Sequence, residues 1–144
     1  EILRCLVGSE MCIETDIDGC RVWAADTIHD GDRYRDVPHC SYFLEMDGQT
    51  VFIAGDGSDL GELKNRYGRL LPKHVDVVFV NLYQAFAQNV HQFIRDFTAS
   101  RIYLYHLPFR QDDCYQFWMQ AGQAVRSFPS DLPPLKILTH MNWH

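Results

Sequence analysis

Three residues that could bind a metal ion each follow directly after an apolar stretch of the sequence. They are His29, Asp56 and His106, which come after the stretches CRVWAADTI, TVFIAG and RIYLY. In open α/β architectures, the loops at the carboxyl ends of strands gather side chains into a site. Two imidazoles and a carboxylate gathered in this way are the start of a zinc-type site. The dense histidine cluster that would complete such a site is absent from the sequence.

Each of these residues also has a purely structural interpretation. Asp56 lies between Gly55 and Gly57, where a turn aspartate often bonds its own backbone. Taken alone, His106 is better explained as a core histidine, and a solvated loop residue is the alternative for His29. Local sequence alone therefore favours a structural role for Asp56 and His106, and only their order along the chain favours function.

The other histidines are weaker candidates. His39 comes at the start of a predicted strand, His74 in a loop and His91 on the polar face of a predicted helix. His140 and His144 are four residues apart, but a strand-like stretch precedes them and we expect a frayed terminus. The sequence contains no glycine-rich phosphate loop, no nucleophile elbow and no Cys/His protease pattern.

Length and composition indicate one globular domain, residues 1–144. The 144 residues are 47% hydrophobic, which is ordinary for a globular protein with its own core. No apolar stretch approaches the roughly 20 residues that cross a bilayer. The formal net charge of −6 disfavours non-specific nucleic-acid binding, which relies on a basic surface. An enzyme acting on a small or neutral substrate remains compatible with this charge.

The cysteines favour a reducing compartment. They are odd in number and form no C-x-x-C pair, so we expect no disulfide framework, a cytoplasmic location and small buried apolar thiols. The five are Cys5, Cys12, Cys20, Cys40 and Cys114. Because the chain opens with Glu1 and enters a strand-like stretch at once, we expect a segment of a larger polypeptide, with any targeting signal upstream.

The first third of the sequence predicts hairpins. Asp18-Gly19 and Asp47-Gly48 are tight-turn signals between stretches rich in β-branched, aromatic or apolar residues. The predicted strands cover residues 10–15, 20–25, 40–46 and 50–54.

The remainder alternates helix and strand. Helices are predicted from residue 58 or 59 to about 70, around residues 90–97, and from about 112 to 128. Strands are predicted at 75–80, 101–105 and 135–139. The last helix has the apolar stripe Cys114, Trp118, Ala121, Val125 and Phe128. This order predicts an α/β fold, a mixed β-sheet with helices on one outer face, whose other face this chain does not cover.

The order of these features resembles the C-terminal half of the metallo-β-lactamase superfamily, the αββα hydrolases. The resemblance covers residues 20–140 and rests on WAADTIHDG, YFLEMDGQTVFIAGDGSD and RIYLYHLPF. These stretches are similar to the superfamily's middle histidine motif, its hairpin ending in G-D-[ST/G], and its final histidine motif. The resemblance leans toward the lactonase-like and phospholipase-like branch, and it implies the C-terminal half of a four-layer αββα sandwich.

The resemblance also implies a ligand set. His29 would bind a first metal ion, His106 a second, and Asp56 would bridge both and help orient the nucleophile. The pair of divalent metal ions, zinc with iron or manganese as alternatives, would hold a hydroxide that attacks an ester, lactone, amide or phosphodiester of a small-molecule substrate. Two loops are expected at the rim of the pocket. The candidate substrate contacts in these loops are Tyr34, Arg35, Phe109 and Arg110.

The sequence departs from the superfamily at one point, because the H-x-H-x-D-H motif of the N-terminal half is absent. Each metal ion would have one histidine and a shared carboxylate, whereas catalytic zinc normally keeps three protein ligands. We therefore expect part of a metal-dependent hydrolase whose ligand-rich half lies upstream or on a partner chain. We expect the isolated chain to be inactive and not to hold metal tightly.

Two alternatives remain. The chain could be a metal-free relic of the fold that serves as a binding or assembly module, with its 13% aromatic residues forming a face for a partner or for self-association. A nuclease of the same superfamily is disfavoured by the acidic balance and by the lack of a basic stripe.

Overall fold

The computed structural model describes residues 12–139, with side chains from residue 16 onward, and within that range seven strands form one sheet. The strands lie side by side in chain order, which keeps neighbours in sequence as neighbours in space. They are β1 Cys12–Ile17, β2 Cys20–Ile28, β3 Pro38–Met46, β4 Gln49–Ile53, β5 Val77–Val80, β6 Arg101–Leu104 and β7 Leu135–Ile137.

The sheet is mixed, as predicted. Strands β1 to β4 pair antiparallel, and β4 to β7 pair parallel. The two predicted tight turns join β1 to β2 and β3 to β4. Asp18 and Gly19 have φ of 51° and 83°, and Asp47 and Gly48 have φ of 52° and 72°. Positive φ at both central residues is the requirement of a type I′ hairpin turn, which Asp-Gly pairs meet at low cost.

Three α-helices lie between the parallel strands of the described region: α1 Leu63–Tyr67, α2 Gln88–Asp96 and α3 Phe117–Ser127. Short 3₁₀ turns cover Asp32–Tyr34, Leu60–Glu62, Gln84–Phe86 and Arg110–Asp112. Within residues 12–139, no helix has the length and apolar character that crossing a membrane would require.

The helices pack on one face of the sheet, as predicted. In α2 and just after it, Phe93 and Phe97 reach the sheet, with ring centroids 4.3 Å apart for Phe52–Phe93 and 5.5 Å apart for Phe43–Phe97. All four phenylalanines are buried, and each such burial is worth roughly 1.5–3 kcal/mol. The core continues as a row of buried register neighbours across six strands, namely Trp23, Phe43, Phe52, Val78, Ile102 and Leu135.

The opposite face of the sheet is apolar but only half-buried. Side chains alternate between the two faces of a strand, so the neighbours of the core row point away from the helices. We call this surface the open face. Its apolar part includes Leu44, Val51, Ile53, Phe79 and Tyr103, all of intermediate exposure, and the exposed charges of Arg101 and Lys136 lie on the same face at β6 and β7. The rings of Phe79 and Tyr103 stack there with centroids 5.8 Å apart.

Two predicted helices are wrong in extent. The first is a 3₁₀ turn followed by the five-residue α1, since the Oδ1 atom of Asp59 accepts a hydrogen bond from the Ile28 amide of β2 instead of capping a helix. The third begins at Phe117 and not near residue 112. The Asp113 carboxylate accepts hydrogen bonds from the amides of Phe117 and Trp118, at 2.7 and 2.9 Å, which sets the helix start there.

The stripe predicted for the third helix is wrong in part, and so is the expectation of buried thiols. Cys114 precedes α3 and is exposed, and Val125 is exposed as well. Cys20 and Cys40 are half-buried, and the thiols of Cys20, Cys40 and Cys114 are free. The side chains of Cys5 and Cys12, and the pair His140 and His144, lie outside the described residues.

Candidate metal centre

The three residues singled out in the sequence meet at one edge of the sheet. Strands β2, β4 and β6 run in the same direction, so their carboxyl ends lie at the same edge. His29 follows β2, Asp56 follows β4 by three residues and His106 follows β6 by two. The Asp56 carboxylate lies between the imidazoles, with Oδ2 3.9 Å from His29 Nε2 and Oδ1 3.8 Å from His106 Nδ1.

The backbone holds the end of β2 against the Asp56 segment. The Asp30 amide donates to the Asp56 carbonyl at 2.7 Å, the Ser58 amide donates to the Ile28 carbonyl at 2.8 Å, and His29 forms a β-bridge with Gly57. These contacts join residues about 30 positions apart in the sequence. The distance between His29 and Asp56 is therefore fixed by main-chain hydrogen bonds and not by side-chain packing alone.

The orientation of His29 leaves a ring nitrogen facing Asp56. Its Nδ1 atom is 2.7 Å from the Asp30 carbonyl oxygen, which can only accept, so Nδ1 carries the proton of the neutral ring. Nε2 is then an unprotonated lone pair directed toward the carboxylate. A lone pair and a carboxylate facing each other at 3.9 Å favour a cation between them.

His106 is held in a strained conformation. Its φ is 63°, in the left-handed region that costs a non-glycine residue roughly 1–3 kcal/mol and that recurs at functional sites. Its side chain is 66% exposed, so burial does not account for the conformation.

His39, which the sequence reasoning ranked low, belongs to this site. It lies in β3, and its Nε2 accepts a hydrogen bond from the Asp56 amide at 3.0 Å. Its ring centroid is 5.3 Å from that of His29. Burial lowers the pKa of His39 below the usual 6.5. The sequence contains a signal for this position. If β3 begins at Pro38, the alternation of side chains along the strand places His39 on the same face of the sheet as Ser41 and Phe43.

Asn81 and Gln84 were missed altogether. Asn81 directly follows β5, and its Nδ2 donates to Asp56 Oδ1 at 2.9 Å. Gln84 donates through Nε2 to the carbonyls of Gly55 and Gly57, at 3.1 and 2.8 Å. A polar residue directly after an apolar strand is the signal that identified His29 and His106, and it applied equally to Asn81.

The candidate substrate contacts divide into two groups. Tyr34 and Arg35 lie next to His29: the Tyr34 ring centroid is 5.0 Å from that of His29, and Arg35 lines a cleft of about 260 Å³ together with His29. Arg110 instead stacks over the Trp118 ring of α3 at 4.2 Å, beside the exposed Phe109. Tyr34 and Arg35 therefore lie beside His29, whereas Phe109 and Arg110 lie in the loop after His106.

The residues present fit part of a metal site. Zinc binds imidazole nitrogen at about 2.0–2.1 Å and carboxylate oxygen at about 2.0–2.2 Å in tetrahedral sites, which places two ligand atoms about 3.4 Å apart. The two gaps on either side of Asp56, 3.9 and 3.8 Å, are about 0.5 Å longer, so small side-chain shifts would bring each pair of atoms to one ion. Among residues 12–139, however, no group of three or more His, Cys, Asp or Glu side chains has the spacing of a metal site. Each gap offers two ligands and needs others.

No protein-family model matches the chain, and no curated protein does. Solved structures do match over most of it. CmlA, a diiron β-hydroxylase from Streptomyces venezuelae, has a TM-score of 0.58 at 10% identity over 87% of this chain and 31% of its own. A candidate Zn-dependent hydrolase of the metallo-β-lactamase superfamily from Thermotoga maritima has a TM-score of 0.54 at 14% identity, over 86% of this chain and 67% of its own. The metallo-β-lactamase fold protein YhfI from Bacillus subtilis has a TM-score of 0.50 at 10% identity, over 88% of this chain and 48% of its own.

The class of protein follows from these matches together with the mixed sheet. The chain has the metallo-β-lactamase fold in part, which confirms the fold predicted from its motifs. Identities of 10–14% carry the fold alone, and the chain spans about a third of CmlA. The lactonase-like and phospholipase-like branch stays a prediction.

Proposed function

We propose that the chain is part of a metal-dependent hydrolase in which His29, Asp56 and His106 contribute ligands to a pair of divalent metal ions. The observation that carries this is the Asp56 carboxylate between two imidazoles, at distances that one ion on each side could join after small side-chain shifts. The substrate would be a small molecule with an ester, lactone, amide or phosphodiester bond. Zinc is the first choice of metal, with iron or manganese as alternatives, because imidazole and carboxylate suit all three.

When bound, such a metal pair supplies Lewis-acid activation of water and of the substrate's carbonyl or phosphoryl group. The chain's own residues do the positioning. His29 presents Nε2 because Asp30 fixes its tautomer, and Asp56 helps to orient the nucleophile. Tyr34 and Arg35 border the cleft beside His29 as substrate contacts, and Phe109 and Arg110 are proposed for the loop after His106.

The remaining ligands must come from outside the described residues. The open face supports this, because an apolar sheet surface that is only half-buried is suited to packing against a second layer. We propose that it packs against the ligand-rich half, upstream in the polypeptide or on a partner chain, with self-association as the alternative. Free thiols at Cys20, Cys40 and Cys114 support a reducing compartment such as the cytoplasm.

A metal-free relic that serves as a binding module is the second candidate. It is favoured by the absence of a complete ligand group within residues 12–139. In that case the two imidazoles would face Asp56 without a metal ion ever binding between them.

A zinc titration of the purified chain, monitored by NMR, distinguishes the metal-dependent hydrolase from the metal-free relic. We expect weak binding that shifts the His29 and His106 ring signals, is lost in His29→Ala and His106→Ala, and persists in His74→Ala. His74 is a matched control at the far end of the sheet. Saturating Zn²⁺ without any shift at His29 or His106 would leave the relic as the better description. Near-stoichiometric zinc that is lost in His106→Ala would contradict the expectation of weak binding.

The catalytic part of the proposal needs the assembled protein. With its ligand-rich half present, it should hydrolyse at least one member of a panel of ester, lactone, amide and phosphodiester substrates, and Asp56→Asn should remove that activity. Hydrolysis that is unchanged in Asp56→Asn would reject the assigned role of Asp56.

A further inference from the structure

We propose that His39 and Asn81 are positioning residues for Asp56, which they hold from two sides in a hydrogen-bond network that forms without a metal ion. His39 holds the Asp56 amide, and Asn81 holds its carboxylate. Since both act on the same site, this role rests on the proposed function.

On the amide side, a chain of hydrogen bonds has only one consistent direction. The Asp56 N–H can only donate, so His39 Nε2 accepts and the ring proton lies on Nδ1. Nδ1 then donates to Thr27 Oγ1 at 2.7 Å, and Thr27 Oγ1 donates to Ser41 Oγ at 3.2 Å. Ser41 Oγ donates to the Ala54 carbonyl at 2.8 Å, so the chain of hydrogen bonds ends two residues before Asp56.

The backbone beside Asp56 is shaped to let His39 come this close. Gly55 has a φ of 58°, and a Cβ atom there would lie 2.7 Å from His39 Nε2. A side chain at position 55 would therefore both strain the backbone and displace the imidazole. The glycine before Asp56 thus serves the contact with His39.

On the carboxylate side, two buried amide side chains hold each other and the turn. Asn81 and Gln84 are 6% and 4% exposed. The main-chain N–H of Asn81 donates to Gln84 Oε1 at 2.8 Å, and the main-chain N–H of Gln84 donates to Asn81 Oδ1 at 3.0 Å. The side-chain donors are used on the turn: Asn81 Nδ2 donates to Asp56 Oδ1, and Gln84 Nε2 donates to the carbonyls of Gly55 and Gly57 that flank Asp56. Burying two amides costs free energy unless every polar atom is paired, and a fully paired network specifies one geometry.

The result is a carboxylate whose two oxygens are distinguished. Oδ1 accepts from Asn81 and lies toward His106, while Oδ2 is directed toward His29. The side chain remains 38% exposed, so packing alone would not fix this orientation. Preorganisation of this kind reduces the entropy lost when ligands close around a metal ion.

NMR on the metal-free chain tests the amide side. We expect the ring proton of His39 on Nδ1, and a proton on Nε2 would overturn the assignment without any mutation. In His39→Ala the hydrogen exchange of the Asp56 amide should rise about tenfold, which is the effect of losing one hydrogen bond of about 1.4 kcal/mol. His39→Gln keeps an acceptor near the Nε2 position and should stay within about threefold of the native rate. Equal exchange in the native chain and in His39→Ala, or a folded His39→Gln that exchanges as fast as His39→Ala, would refute the role of His39.

The carboxylate side has its own variant and control. Asn81→Ser keeps an oxygen that can accept from the Gln84 amide but cannot reach Asp56, so the ¹³Cγ signal of Asp56 should shift while the Asp56 amide stays protected. His74→Gln should change neither signal. An unchanged Asp56 ¹³Cγ signal in Asn81→Ser would refute the role of Asn81.

Zinc titration separates this inference from the proposed function. If the native chain binds Zn²⁺ at Asp56, His39→Ala should weaken binding about tenfold, the usual effect of removing a group that orients a metal ligand. If the native chain binds no Zn²⁺ there, the proposed function fails, and the NMR results on the metal-free chain still decide whether His39 and Asn81 hold Asp56.

Discussion

The two ends of the parallel strands each carry an aspartate beside a histidine, and the two arrangements differ in one respect. At the carboxyl ends, the Asp56 carboxylate faces His29 and His106 at 3.9 and 3.8 Å, beyond hydrogen-bond distance. At the amino ends, Asp76 Oδ2 accepts from the Thr50 amide at 2.8 Å, and Oδ1 lies 3.4 Å from His74. Each carboxylate accepts a hydrogen bond from the chain, Asp56 from Asn81 and Asp76 from Thr50, but the imidazoles at Asp56 lie beyond hydrogen-bond distance and leave room for an ion.

The histidines follow the same division. His74 has both ring nitrogens near hydroxyl groups, with Nδ1 3.0 Å from Thr98 Oγ1 and Nε2 3.3 Å from Ser100 Oγ. Among the residues that the structure describes, His29 bonds through Nδ1 alone and presents Nε2 to Asp56. Residue types are therefore a poor guide to function at these two ends. The distances between histidine and aspartate distinguish the two ends, because a metal ligand must lie near the other ligands without being hydrogen-bonded to them.

The largest expected effect is on metal binding at the carboxyl ends. Asp56→Asn should lower the Zn²⁺ affinity more than about 100-fold, since groups that only orient metal ligands are already worth 10–100-fold. For the isolated chain this means that the signal disappears in calorimetric or NMR titration. The matched variant Asp76→Asn should leave the affinity unchanged. Equal losses in the two variants would show that the ends do not differ in the way proposed.

A smaller effect, on stability, is expected at the amino ends. Asp76→Ala removes the acceptor of the partly buried Thr50 amide, a hydrogen bond to a charged group, and should lower the free energy of unfolding by about 1–2 kcal/mol. Urea unfolding measures this loss. Asp76→Asn retains an acceptor and should lose less. A free energy of unfolding for Asp76→Ala within about 0.5 kcal/mol of the native value, the range of ordinary surface substitutions, would contradict a structural role.

The smallest expected effect is a pH dependence at Asp76. The Thr50 amide, and with it the charge of His74, lower the pKa of Asp76 below the usual 3.8. The folded state therefore favours the carboxylate, and its stabilisation is fully present above the unfolded pKa. It is lost as the pH falls below 3.8 through the lowered folded value. Unfolding free energies measured from pH 6 to pH 3 should fall less steeply in Asp76→Asn than in the native chain, and parallel curves would exclude Asp76 as a source.

Much of the fold could be predicted because its signals are local. Asp18-Gly19 and Asp47-Gly48 specify their turns from two residues each, and the apolar spacing of Val90, Phe93 and Ile94 specifies α2. The starts of α1 and α3 could not be predicted in the same way. Asp59 bonds an amide of β2 that lies 31 residues earlier, so its ability to cap a helix depends on the sheet.

The sequence by itself determined which residues end the strands, and it thereby located His29, Asp56 and His106, because the carboxyl ends of like-directed strands must share an edge. Sequence signals exist for His39 and Asn81, but only the tertiary structure shows that both contact Asp56. These lie 17 and 25 residues from Asp56, and their contacts depend on strand register and on the position of the turn after β5. Register is a property of paired strands, and no single stretch of sequence carries it.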